Sequence, residues 1–174
     1  MKRAKNIFLV GFMGTGKSAV GKALADRLGM KFVDTDEEIE AKAKMPIKDI
    51  FAKYGEEHFR NIEKEVVRRV SKNKNAVIAC GGGVMLFEGN VENLKKNGII
   101  VCLTASPEEI AHRVGINDER PLLKGKTYRE RLKEIKKLLK KRSEYYAKSD
   151  YFVDTNGRGV EEIVGEIEKI VRGS

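Results

Sequence analysis

The sequence predicts an α/β fold of three layers, a parallel sheet of five strands with helices on both faces. Short apolar runs recur at residues 7–10, 31–34, 76–80, 99–103 and 151–154. Segments with helical spacing of apolar residues separate them, at 17–28, 37–53, 56–71, 91–97, 107–114, 128–147 and 160–172. Strands that alternate with helices call for parallel pairing through crossover connections. The third observation is the octapeptide Gly11-Phe12-Met13-Gly14-Thr15-Gly16-Lys17-Ser18, set between the first strand run and the first helical segment. That context of strand, glycine-rich loop and helix is the one in which this spacing cradles phosphate.

The first run, Asn6-Ile7-Phe8-Leu9-Val10, is short, apolar and rich in branched side chains, as a buried strand requires. In the loop that follows, glycines let backbone N–H groups turn toward phosphate oxygens. Lys17 reaches the β- and γ-phosphates as a point charge, and the Ser18 hydroxyl is placed to ligate Mg²⁺. The helix from Lys17 carries Val20, Ala23, Leu24 and Leu28 on one face.

In open parallel sheets ligands sit beyond the carboxyl ends of the strands, so the residues after each strand are where chemistry is expected. After the second comes Asp34-Thr35-Asp36, two carboxylates at i and i+2. One could hold Mg²⁺ through water while the other accepts a hydroxyl proton; alternatively Asp34 or Asp36 caps the next helix. Pro46 starts a new helical turn and Gly55 interrupts, which predicts a short separate helix over residues 45–54. In the helix beyond it, Arg60 has Glu56 four residues before and Glu63 three after. It reads either as an exposed ion pair or as a fork for a substrate carboxylate oriented by Glu63.

After the third strand comes Gly81-Gly82-Gly83, which reads either as a tight turn or as bare backbone beside a bound hydroxyl or phosphate. After the fourth strand and its helix, Gly115 and Gly125 bracket a segment with Arg120 at its tip, which reads either as a mobile surface loop or as a lid that closes with an arginine on the transferring phosphoryl group. The segment from Lys124 to Lys148 holds eleven basic and three acidic residues, most of the net charge of +9. Leu132, Ile135, Leu138, Leu139 and Tyr146 recur through it at helical spacing, so it reads as an amphipathic helix with a solvated basic face.

A chain of 174 residues suits one domain spanning 1–174 that buries roughly two-thirds of its unfolded surface. No run approaches the ~20 apolar residues of a membrane span. Cys80 and Cys102 both lie in apolar runs, where a thiol is usually a small buried hydrophobe, and a cytoplasmic setting is expected.

Taken in order along the chain, Gly11 to Ser18, Asp34-Thr35-Asp36, Phe59-Arg60 with Glu63, Gly81-Gly82-Gly83, Arg120-Pro121-Leu122-Leu123, and Arg142 with Tyr146 ahead of Val153-Asp154-Thr155 resemble shikimate kinase. The resemblance implies a P-loop kinase with strand order 2-3-1-4-5. It also implies substrate-binding helices about residues 34–62, a mobile lid about 115–127, and transfer of the ATP γ-phosphate to the 3-hydroxyl of shikimate in aromatic amino acid biosynthesis. Under it, Asp36 holds ring hydroxyls and acts as base, while Lys17 and Arg120 are the other catalytic residues. Arg60 and Arg142 grip the carboxylate, and Gly81, Gly82 and Gly83 line the substrate, with Gly82 presenting its backbone. Gly14, Thr15, Gly16, Lys17, Ser18, Ala19 and Arg120 meet the nucleotide phosphates. Ser18 binds Mg²⁺ with Asp34 behind water, Arg113 stacks on adenine, and Arg158 falls near the base.

Two positions depart from the family pattern. Cys80 stands where a threonine is common, and the adenine-side loop lacks a proline. The expected partners are ATP and shikimate, with the chain acting as a monomer and without nucleic acid or membrane. The alternatives are a kinase of a related polyhydroxy acid such as gluconate, and a nucleotide-dependent protein that uses its basic helix on nucleic acid.

Overall fold

The computed structural model of the chain describes residues 5–115 and 123–174. Five parallel strands, β1 (Asn6–Val10), β2 (Lys31–Asp34), β3 (Ala76–Ala79), β4 (Gly98–Thr104) and β5 (Tyr151–Asp154), form one sheet in the order β2-β3-β1-β4-β5. The helices are α1 (Lys17–Leu28), α2 (Thr35–Ala43), α3 (Ile47–Val70), α4 (Glu88–Asn97), α5 (Pro107–Val114), α6 (Tyr128–Tyr146) and α7 (Val160–Gly173). The fold class and the strand order therefore stand as expected.

β1 is buried throughout because it is the central strand, pairing Leu9 with Ala79 on one side and with Val101 on the other. Its alternate side chains enter two separate cores, as the two-residue period of a strand requires. Phe8 and Val10 join Ile78, Ile100, Val66, Val67, Ile110 and Ile135 on the face covered by α3, α5 and α6. Ile7 and Leu9 join Val20, Leu24, Ile163, Val164 and Ile167 on the face covered by α1 and α7. The sheet is held between these layers with all its carboxyl ends at one edge.

Several boundaries differ from the sequence expectation, the largest shift being α4, which starts at Glu88 and not at 91; those beside the site have local reasons. β3 ends at Ala79 and leaves Cys80 outside the strand, because its partner β2 turns into α2 after Asp34; the Cys80 N–H still donates to the Leu9 carbonyl at 2.9 Å. α2 starts at Thr35, two residues early, since Asp34 accepts the Asp36 N–H at 2.9 Å and caps it. The separate helix expected over 45–54 is present as the first segment of α3: the non-helical backbone of Gly55 (φ 81°, ψ 175°) parts it from the helix that follows and puts a kink between them. That kink bends the first segment over the cleft described below. Among the described residues no helix is long and apolar enough to cross a membrane.

Candidate active site

The chain leaves β1 and enters α1 within six residues. Gly11 (φ 137°) passes so close to the Leu103 carbonyl that a Cβ would overlap it, and Gly16 (φ 92°) supplies the left-handed step that starts α1. Thr15 Oγ1 donates to the Phe12 carbonyl at 2.8 Å, and the Lys17 ammonium donates to the Gly11 and Phe12 carbonyls at 2.9 Å each. An ammonium group and the positive end of α1 thus meet at one concave loop, an arrangement suited to phosphate.

The Asp34-Thr35-Asp36 segment divides three tasks. Asp34 uses both oxygens, accepting Ser18 Oγ at 2.6 Å and the Asp36 N–H at 2.9 Å, so it caps α2 while its other oxygen stands against the start of α1. Thr35 is buried, and its hydroxyl accepts the Gly81 N–H at 2.9 Å, which ties α2 to the glycine segment. Asp36 keeps its carboxylate for the cleft. Water reaches its outer side, but protein crowds the rest. That desolvation, reinforced by the Asp34 charge and opposed by Lys17, pushes its pKa up to about 6.

Two glycines of the triple make room for a side chain. A Cβ on Gly81 would lie 2.8 Å from Asp36 Oδ1 and one on Gly83 would lie 2.6 Å from Arg60 Cζ, both overlaps, whereas one on Gly82 would meet Arg142 Nη1 at 3.4 Å, an ordinary contact. None of the three has positive φ, so close approach, not backbone freedom, explains Gly81 and Gly83. Arg60 is not a solvated helix pair. Its side chain is 21% exposed, and Nη1 donates at 2.8 Å to Glu63, which is only 2% exposed. The second Glu63 oxygen is buried without a hydrogen-bond partner, and burial raises the pKa of this carboxyl while Arg60 opposes the rise. Arg142 is buried, with its guanidinium 5.5 Å over the Phe12 ring and Nη1 3.4 Å from the Gly82 carbonyl.

These groups line two adjoining cavities. One, of about 330 Å³, is bounded by Gly14, Gly16, Lys17, Ser18, Ala19, Asp34 and Arg113. The other, of about 400 Å³, is bounded by Arg60, Glu63, Arg142 and Gly83, with Ile47, Phe51 and Phe59 as an apolar wall. Met13, Asp36, Gly81 and Gly82 border both. A third hollow beside the loop holds Thr15, Gly16, Arg113 and Arg158.

Within that hollow the two arginines are held by acceptors. Arg113 donates to the Thr155 carbonyl at 2.7 Å, to Thr155 Oγ1 at 3.0 Å and to Glu109 at 2.9 Å. Arg158 binds the Asp154 carbonyl, Glu162 and Glu166. Arg120 lies outside the described residues, as does most of the expected lid. Glu40 and Lys48 also line the substrate-side cavity, and the sequence reading missed both, along with the tie made by Thr35 and the wall residues Ile47 and Phe51. Only the position of Ile47, Lys48 and Phe51 on a helix that follows Asp36 hinted at them.

Cys80 borders the phosphate-side cavity but is 1% exposed, as is Cys102. Burial pushes the Cys80 thiol up strongly and that of Cys102 up to about 11, so neither is a ready nucleophile. A thiol reagent is expected to titrate neither cysteine in the folded protein and both after denaturation. Rapid loss of activity on alkylation of the folded protein would contradict this.

A family model described as shikimate kinase matches residues 13–172. The shikimate kinase of Thermodesulfovibrio yellowstonii is 48% identical, with 97% of this chain and 94% of the relative covered. That of Thermoanaerobacter pseudethanolicus is 44% identical, with 95% of each covered. Among solved structures, shikimate kinase from Acinetobacter baumannii in complex with shikimate matches with a TM-score of 0.92 at 36% identity, covering 98% of this chain and 94% of that one. Shikimate kinase from Aquifex aeolicus matches with a TM-score of 0.83 at 38% identity, covering 97% and 96%. With a phosphate loop, a bordering carboxylate and two arginines assembled on this sheet, and with likeness of this extent, the chain belongs to the shikimate kinase family.

Proposed function

We propose that this chain transfers the γ-phosphoryl group of ATP to the 3-hydroxyl of shikimate, with the nucleotide phosphates on the Lys17 side and shikimate in the cleft of Arg60 and Arg142. The observation that carries the reading is the position of Asp36 on the border of both cavities. From there its carboxylate takes the proton of the acceptor hydroxyl. The hydroxyl oxygen then forms a bond to the γ-phosphorus while the bond from that phosphorus to the β,γ-bridging oxygen breaks and ADP leaves. A raised pKa makes Asp36 a better base than an ordinary carboxylate, though it stays ionised at neutral pH.

Lys17 and the N-terminus of α1 neutralise charge on the phosphates, and Arg120 is assigned the same task from the lid. Arg113 and Arg158 border the hollow that suits the adenine base. Arg60 and Arg142 offer guanidinium forks to the carboxylate, while the apolar surface of Phe51 and Phe59, whose rings lie 4.7 Å apart and tilted by 38°, suits the carbon face of a ring more than an open-chain polyol.

Mg²⁺ fits the hard oxygen donors that the chain places here. Ser18 Oγ and Asp34 Oδ2 lie 2.6 Å apart beside the phosphate loop, and this ion typically takes one or two protein ligands along with phosphate and water. Ser18 and Asp34 would hold it directly or through water, and it would supply further charge neutralisation to the phosphate oxygens.

ADP release from ATP is expected to rise on addition of shikimate and not of gluconate. Arg60→Ala should raise the shikimate KM about 10- to 100-fold with the ATP KM within about twofold, as loss of a charge-assisted contact implies. Stimulation by gluconate alone would overturn the assignment.

A further inference from the structure

The carbonyl of Gly82 accepts two donors from α6. Tyr146 Oη donates to it at 2.6 Å and Arg142 Nη1 at 3.4 Å. Tyr146 is buried and borders neither the substrate cleft nor the phosphate cavity, whereas Gly82 borders both and Gly83 borders the cleft. The Gly82 oxygen therefore points toward α6. Among the described residues no peptide bond is cis, and in a trans peptide the N–H points opposite to the C=O, so the Gly83 N–H is turned away from α6, on a residue that borders the cleft against Arg60. Among the described residues neither the Gly82 nor the Gly83 N–H has an acceptor, although the neighbouring Gly81 and Val84 N–H groups are paired.

Glycine peptides have little to stop them from flipping, since no side chain opposes the rotation. An oriented donor here needs an anchor from outside the segment.

We infer that Tyr146 is a positioning residue for the acceptor substrate: its hydroxyl locks the Gly82–Gly83 peptide so that the Gly83 N–H stands as a fixed donor to a carboxylate or hydroxyl oxygen beside Arg60. The same bond sets the depth of Arg142, one helical turn before Tyr146, against the glycine segment. Burial pushes the phenol pKa up to about 12, so the group remains a donor across the working pH range. The inference rests on the reading that this cleft takes shikimate.

The test is Tyr146→Phe, which removes one hydroxyl and keeps the ring. Shikimate affinity is measured by calorimetry, and both KM values are measured well below the melting temperature. Shikimate binding is expected to weaken about 5- to 20-fold with the ATP KM within about twofold. Ile135→Val, a truncation in the core contact of the same helix, controls for mere loosening and should lower Tm while leaving shikimate affinity unchanged.

If Tyr146→Phe lowers Tm but binds shikimate like the wild type, or weakens both substrates equally, or if Ile135→Val reproduces its effect, the positioning role is wrong. Failure of the wild type to bind shikimate would instead remove the underlying reading.

Discussion

Asp36→Asn is expected to lower kcat by about 10²- to 10⁴-fold while the ATP KM stays within about twofold, the loss that follows when a positioned base is removed. The amide has the shape of the carboxylate and can still hydrogen-bond a hydroxyl, so shikimate affinity should change much less than turnover. The same substitution should make the metal-free, nucleotide-free protein more stable. Asp36 ionises with a pKa of about 6 in the folded chain against 3.8 for an ordinary aspartate.

Below the lower value both states are protonated and the group is neutral toward stability. Between the two values the unfolded chain has released the proton that the folded chain still holds, so stability falls as pH rises; above about 6 the deficit is complete. Cleft water screens this penalty, and about 1 kcal/mol is a reasonable size, equivalent to roughly 2–4 °C in Tm. Melting in EDTA should therefore show the variant above the wild type at pH 7.5, with the gap closing toward pH 4. A variant with near-normal kcat would remove the proposed base, and one less stable than the wild type at pH 7.5 would show that the carboxylate is not strained.

Asp36 is readable from the sequence because it belongs to a local pattern: an apolar run, then two acids at i and i+2, close after a phosphate loop. Lys17, Ser18 and Asp34 are legible for the same reason, since strand and helix periods alone deliver them to one edge of a parallel sheet. Arg60 is legible only as a choice, because an arginine between two glutamates looks the same whether it faces water or a cleft. What decides it is Glu63, 2% exposed beneath the guanidinium, and burial of that kind depends on how α3 packs on the sheet.

Tyr146 appears in the sequence as a core position of an amphipathic helix and as part of the family pattern beside Arg142, with nothing to show what its hydroxyl binds. Its acceptor lies 64 residues away, and no periodicity connects them. The triple glycine shows the limit most plainly. Composition implies that bare backbone is needed there, yet the side chains that require the space come from α2 and α3, elements whose meeting with this segment is a tertiary fact.

Gly83→Ala is expected to behave as a remote Arg60 mutant. The backbone at Gly83, φ −102° and ψ 2°, is open to alanine, so the loop itself can keep its path. The new methyl would occupy the place of the Arg60 guanidinium, which must swing away because it is the movable partner. Two consequences follow. The cleft loses one of its two forks, and the shikimate KM should rise about 10- to 100-fold with the ATP KM nearly unchanged. Glu63, already carrying one unpaired oxygen, loses the partner of the other; stability should fall by about 1–2 kcal/mol as this carboxyl is left uncompensated or takes up a proton.

The double variant separates displacement of Arg60 from any other effect of the methyl, since alanine keeps the Gly83 N–H. With Arg60→Ala in place there is no guanidinium to displace, so adding Gly83→Ala should change the shikimate KM by less than about twofold. Strong coupling between the two sites is thus expected in the cycle. If instead the two effects multiply, the new methyl disturbs the substrate by a route other than Arg60, and the steric explanation for this glycine fails.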